Sequence, residues 1–339
     1  MMRVLKFLLS SQLKRSKRIE QSSGFTLIEL LVAMIIAFLV ITPLLGFMIS
    51  VMSTDRQEQA KANTEQEIQA ALDYIARDLQ QAIYIYDATG VDAIRAELPS
   101  SSSTDRVPVL VFWKRELISN VITIIGSEKD DTYVYSLVAY YLIKDSNATW
   151  SNAARIARWQ IRDGVASASG VSCDGYSGKY VSGYCPSSGY APFNLDGIGT
   201  LTEKMNDWKR LGEYKTTTTG ADGTKSTDTT IVNYTTTPIV LVDYVDLTLS
   251  TNNPAPPVKT CPTSSFLPPD TANFNTRNTF KMKSFSACVD TANTTAEVFL
   301  RGNAIARLQT NNLDYTTNRN AYFPTASIRV QGRGYLFTQ

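Results

Sequence analysis

Residues 25–50 read Phe25-Thr26-Leu27-Ile28-Glu29-Leu30-Leu31-Val32-Ala33-Met34-Ile35-Ile36-Ala37-Phe38-Leu39-Val40-Ile41-Thr42-Pro43-Leu44-Leu45-Gly46-Phe47-Met48-Ile49-Ser50. One acid, Glu29, stands near the start, and from Leu30 to Thr54 there is no charge. Those 25 residues make about 37 Å of helix at roughly 1.5 Å per residue. A bilayer core needs about 20 apolar residues, so the stretch reads as a membrane-spanning helix. Pro43 and Gly46 interrupt it; such breakers are tolerated in membrane helices, where Pro removes a backbone donor.

Downstream, residues 51–86 are expected to continue the same helix. Gln57, Glu58, Gln59, Ala60, Lys61 and Ala62 favour helix, and Ile68, Ala71, Leu72, Ile75, Leu79, Ala82 and Ile83 recur every three or four residues. That stripe should dock on a globular part. Arg77 and Asp78 read as a solvated pair.

Upstream, residues 1–24 hold Arg3, Lys6, Lys14, Arg15, Lys17 and Arg18 against Glu20. Lys/Arg-rich flanks stay cytoplasmic, and the segment after the span has no basic excess. The N-terminus should lie inside and the C-terminal part outside. The formal charge of +2 over 339 residues hides this asymmetry: without residues 1–24 the chain has 27 basic against 30 acidic residues. A nucleic-acid surface is not indicated.

Glu29 is costly inside a membrane, by about 2.5–3.5 kcal/mol at mid-bilayer. Taken alone, it reads either as an acid snorkelling to the interface or as a functional group. Gly24-Phe25-Thr26-Leu27-Ile28-Glu29 after a basic leader resembles the processing site of type IV prepilins and type II secretion pseudopilins. The resemblance implies cleavage by a prepilin peptidase between Gly24 and Phe25, N-methylation of Phe25, and a role for Glu29 in assembly, paired with the terminal amine of a neighbouring subunit. In packed filaments of that family the region around Pro43 is often locally unwound. Tyr74–Ala82 resembles the corresponding helix of the J-type minor pseudopilins and W-type minor pilins. The span with its Arg56–Lys61 continuation, and Ala296–Ala304, resemble the hormogonium polysaccharide secretion pseudopilins of filamentous cyanobacteria.

The remainder, residues 87–339, is expected to be an extracytoplasmic β-rich head. Residues 87–106 read as a loop. Strand signals lie at Val107–Trp113, Val121–Ile125, Tyr133–Ile143, Ala154–Arg162, Pro238–Leu249, Ala296–Ala304, Ser327–Val330 and Tyr335–Phe337. Thr202–Leu211 suits a short helix anchored by Leu201, Met205, Trp208 and Leu211. Residues 164–198 read as a stapled loop, residues 212–230 as a low-complexity mobile stretch, and residues 251–280 as Pro- and Asn-rich. Cys173, Cys185, Cys261 and Cys288 fall on the outer side, where an even count favours disulfides. Of three connectivities the sequence-local one is preferred, Cys173–Cys185 with Cys261–Cys288.

No catalytic constellation stands out, and no cofactor or metal is expected. The chain has no histidine, which removes Ser-His-Asp and Cys-His arrangements and, with no C-x-x-C, disfavours zinc. Asp222 and Asp228 lack the full calcium-loop pattern, and Asp243 and Asp246 would face opposite sides of a strand. The expected fold is α+β and pilin-like: a long N-terminal membrane-spanning helix packed on an antiparallel β-sheet head with large loops. On the resemblance, the chain is a minor pseudopilin. Its partners are prepilin peptidase, other pilins or pseudopilins, an inner-membrane assembly platform, lipid and polysaccharide. Competing readings are a minor type IV pilin at the tip of a retractable pilus and a membrane-anchored periplasmic enzyme or binding protein.

Overall fold

In the computed structural model the described residues are 25–124, 126, 128–219, 225–249, 251–258, 261, 266–267, 282–334 and 336. The chain divides into two units, up to Arg56 and from Gln57 onward.

Helix α1 runs Leu27–Leu79 with Pro43 inside it. In the first unit every described residue is exposed. This is what an apolar helix with no lipid or protein around it must show. Among the described residues it is the one helix long and apolar enough to cross a membrane.

In the second unit the same helix becomes a core element. Ile68, Leu72, Ile75 and Leu79 are at most 1% exposed, each burial worth about 1.5–3 kcal/mol. The apolar stripe therefore docks on the head. It does so over a shorter helix than expected: α1 stops at Leu79, and Ala82–Ile85 forms strand β1. All four β1 side chains are buried, and a strand buried on both faces carries no 3.6-residue signature to distinguish it from helix.

The expected loop at 87–106 contains helix α2, Ala88–Ile94, whose N-cap Asp87 accepts the Gly90 N–H at 2.8 Å. Strand β2 then spans Arg106–Thr123 without a break where two strands were expected. The intervening Lys114 and Glu116 are both partnered: Lys114 Nζ donates to Asp78 at the end of α1 (2.9 Å), and Glu116 accepts across the sheet from Ser136 (2.8 Å) and Gln160 (2.6 Å). Partnered charges do not end a strand. Register shifts fall at Pro108/Leu110 and Ile118/Ile122, bulges of the kind where a missing donor is tolerated.

Strands β3 (Lys129–Ile143) and β4 (Ala154–Arg162) follow. Residues 164–198 contain a small hairpin, β5 (Ala166–Ser172) with β6 (Lys179–Tyr180). Helix α3 is confined to Leu201–Asn206 and opens on a capping box between Thr200 and Glu203. Met205 and Trp208 are buried as expected. The stretch expected to be mobile, residues 212–230, forms a hairpin of β7 (Glu213–Thr219) and β8 (Lys225–Ile231); its threonines are β-branched and suit extended backbone. Asp222 lies outside the described residues, as do most of 251–280, Tyr335 and Phe337.

Strand β9, Ile239–Val245, completes a five-stranded antiparallel sheet in the order β1-β2-β3-β4-β9. A second antiparallel sheet runs β10 (Phe266–Leu267), β11 (Phe285–Asp290), β12 (Thr295–Arg301), β13 (Thr325–Gln331). The sheets meet where Asn303 N–H donates to Tyr244 O at 2.7 Å and Asp246 N–H to Arg301 O at 3.0 Å. Gly302 lies at this seam against α1; a Cβ there would come within 2.5 Å of Thr64. One continuous core joins α1 to both sheets. The layout is α+β and pilin-like, a long apolar N-terminal helix leading into an antiparallel-sheet head with loops.

Candidate functional site

Thr26 immediately precedes α1, and its carbonyl accepts the Leu30 N–H at 3.1 Å. Its side chain accepts the Glu29 N–H at 3.3 Å, while Glu29 Oε2 accepts the Thr26 N–H at 3.1 Å and the Thr26 hydroxyl at 3.0 Å. This reciprocal pair is a capping box, which satisfies helix donors that otherwise lack partners. It also places the carboxylate at the positive end of the helix dipole. Glu29 thus has a local role that its charge alone did not reveal. Both bonds use Oε2, and among the described residues Oε1 takes none.

The carboxylate therefore sits one peptide unit from the Phe25 nitrogen. Phe25 itself is 81% exposed. Gly24 lies outside the described residues. Beyond Glu29, Val32, Ala33 and Ile36 line a shallow groove along the same face of the helix. Further on, Thr42 Oγ1 donates to Phe38 O at 2.8 Å, one residue before Pro43, which can offer no donor to Leu39 O. The helix stays continuous there in the single chain.

The cysteines pair Cys173 with Cys185 and Cys261 with Cys288, with Cα atoms 5.8 Å and 5.5 Å apart. Cys288 of the second bridge lies on β11, where it pairs with Phe266 of β10.

One constellation contradicts its sequence reading. Asp78 is not half of a solvated pair but is 7% exposed. Its carboxylate accepts from Lys114 Nζ (2.9 Å), Arg158 Nε (2.6 Å) and the Tyr140 hydroxyl (2.7 Å). Burial works to raise this acid, but hydrogen bonds and charge from Arg158 and Lys114 outweigh it and hold the carboxyl below its ordinary range. Burial and the Asp78 charge push the Tyr140 phenol up. The signal in the sequence was faint: Asp78 lies one residue from Leu79 and three from Ile75, on the edge of the apolar stripe. The cluster ties the end of α1 to β2, β3 and β4.

Asp243 and Asp246 do not meet as a pair. Asp243 accepts from Ser151 (2.8 Å from the hydroxyl), and Asp246 binds Arg301 Nε at 2.7 Å. The large aromatic side chains Trp113, Trp159, Tyr140, Tyr141 and Tyr190 are buried in the core. Among the described residues no group of three or more Asp, Glu or Cys gathers that could hold a metal ion.

Residues 21–45 match the family model described as the prokaryotic N-terminal methylation motif, which straddles the expected cleavage point and the start of α1. No curated protein and no solved structure matches the chain. The chain thus joins a prepilin-type N-terminal methylation motif to a pilin-like α+β layout.

Proposed function

We propose that this chain is a minor pseudopilin of a type II secretion or type IV pilus-like filament. The carrying observation is the methylation motif at residues 21–45, set at the head of a helix whose apolar residues up to Arg56 are exposed. Prepilin peptidase cleaves after Gly24, Phe25 becomes the methylated N-terminus, and the helix leaves the inner membrane to pack with its counterparts. The head stays on the periplasmic side or on the filament surface. Glu29 aligns subunits by offering its carboxylate to a neighbour's terminal amine, since a carboxylate in lipid needs a cation.

The head follows a helix that ends at Leu79 and carries two sheets and two extra hairpins. Such bulk is easier to accept at a tip or in a priming complex than in a closely stacked shaft. The protein acts by assembly, not catalysis. The machine it serves exports polysaccharide and supports gliding, a reading that rests on sequence resemblance.

N-terminal mass spectrometry of the protein from membranes tests the first step: the expected species begins at methylated Phe25, and an intact leader or another cut removes the reading. The second test is a deletion strain complemented with wild-type protein. Loss of exported polysaccharide with pili intact supports a secretion pseudopilin. Loss of pili assigns the chain to a retractable pilus instead.

A further inference from the structure

Strand β13 closes one side of the second sheet, and its outer edge is open. Its register against β12 runs without a shift, from Gln331 opposite Thr295 to Thr325 opposite Arg301. Gly302 N–H donates to Pro324 O at 2.9 Å and Gly332 N–H to Thr294 O at 2.8 Å. These two bonds fix the phase of the ladder, because successive residues of an antiparallel strand turn their backbone groups alternately toward one neighbour and the other. The even-numbered residues of β13 therefore bond to β12. Thr325, Ser327, Arg329 and Gln331 turn their N–H and C=O groups outward, where none has a partner among the described residues. The side chains of these residues are exposed as well.

Proteins blunt such edges with charge, proline, a bulge or a covering segment. The start of β1 shows the last device: Arg333 N–H donates to Gln80 O and Gly334 N–H to Ala82 O along its outer side, both at 3.1 Å. Strand β13 has no proline, bulge or covering segment among the described residues, and its one charge, Arg329, stands opposite Glu297 of β12. A row of outward backbone groups is a template for one kind of ligand, another extended chain. The same edge opens on a partly apolar recess. A cavity of about 310 Å³ is walled by Thr325 and Ser327 of β13, by Phe299 of β12, and by Pro257 and Val258. Ser327 and Phe299 are directly opposite each other in the ladder. Ser327 is small, so a long side chain from a strand laid beside β13 can pass over it into the cavity.

We infer that β13 accepts an extended segment of a partner protein as an added strand, with one large apolar side chain set opposite Ser327 and lodged in this cavity. The main-chain bonds supply affinity and the lodged side chain supplies selection. A second copy of this chain fits less well. Paired antiparallel, edge to edge, its β13 brings only Thr325, Ser327, Arg329 and Gln331 to this face, and none of them is large and apolar. The inference concerns the head alone and stands whether or not the chain enters a filament.

The test uses the full chain in detergent and a fluorescein-labelled, end-blocked heptapeptide that alternates valine with threonine, its central threonine replaced by phenylalanine. Anisotropy should show saturable binding below about 1 mM. Deuterium exchange should slow at the amides of Thr325, Ser327, Arg329 and Gln331 when the peptide is bound. The peptide that keeps its central threonine should bind at least about tenfold more weakly, since it buries no aromatic side chain. Ser327→Pro removes an outward N–H that the ladder with β12 does not use, and should weaken the phenylalanine peptide at least about tenfold while the protein stays folded. Ser327→Trp keeps the backbone and fills the cavity, and should bring the two peptides to within about twofold of each other. No binding at about 1 mM, binding without slowed exchange in β13, equal affinity for the two peptides, or an undiminished preference for phenylalanine in Ser327→Trp would each overturn the inference. So would slowed exchange at the same amides on raising the protein concentration alone, which would assign the edge to a second copy.

Discussion

At the scale of single residues, two acids decide how α1 behaves. Glu29 serves the capping box and, in the proposed filament, a neighbour's amine. Substitutions separate the roles. Glu29→Gln keeps a side-chain oxygen for the Thr26 N–H and loses the charge; Glu29→Ala loses both. If the charge aligns subunits, both variants are processed normally and both fail to enter filaments, scored by immunoblot of sheared filament fractions. Rescue by Gln would show that capping, worth about 0.5–2 kcal/mol, is the acid's real contribution. Asp78 offers a second test. Removing the anion in Asp78→Asn leaves Lys114 and Arg158 buried without a counter-charge, which should cost about 3–5 kcal/mol in denaturant unfolding. Since Asp78 is held below its ordinary range when folded, its contribution is complete above about pH 4 and fades as pH falls below that toward the folded value. Wild-type protein should therefore lose stability between neutral pH and about pH 3 by more than Asp78→Asn does.

At the scale of elements, the two disulfides each close a loop within the head. Cys173–Cys185 closes a separation of 12 residues and Cys261–Cys288 one of 27. On chain-entropy grounds, double Cys→Ser variants should lose about 3 and about 3.5 kcal/mol, measured by urea unfolding against oxidised wild type. Losses under about 1 kcal/mol would mean that the reduced chain remains restrained by other contacts. Elements differed in how readily they could be read from sequence. The apolar stretch after Phe25 and the Ile68–Leu79 stripe were legible because long periodic runs repeat their signal. β4 was legible only in part, because the alternation from Arg155 to Arg162 is imperfect and a short helix also fitted the sequence. The turn from helix to strand at Gln80–Ala82 was not, since Ala82 and Ile83 extend the helical spacing while the pairing that fixes β1 comes from Phe112, Trp113 and Lys114, far along the chain. The same distance hid the Asp78 cluster: Asp78 and Arg158 are 80 residues apart, and no local pattern announces that pairing.

For the whole molecule, the burial profile marks where the chain can be divided. Every described residue up to Arg56 is exposed, and the first buried position of α1 is Ala60. From there the helix is held by the head on two sides. The Asp78 cluster fastens its end. Nearer its middle, Arg307 binds Thr64 (2.9 Å) and Glu67, and Tyr322 donates to Gln57 (2.8 Å) while its ring lies 4.6 Å from Lys61 Nζ. A protein beginning at Gln57 should therefore fold as a soluble monomer, with a thermal midpoint within a few degrees of the full chain in detergent; circular dichroism and gel filtration check this. A protein beginning at Gln80 should not. It would lose the Ile68, Leu72, Ile75 and Leu79 side chains from the core, each worth about 2–5 kcal/mol when a large apolar group is deleted, and leave Lys114 and Arg158 facing an empty groove. Their sum, about 8–20 kcal/mol, is as large as the roughly 5–15 kcal/mol that holds a domain together, so the shorter protein should aggregate. If it folds instead, α1 is an accessory to the head, and the ionic fastening at Asp78 has no part in keeping the sheets closed.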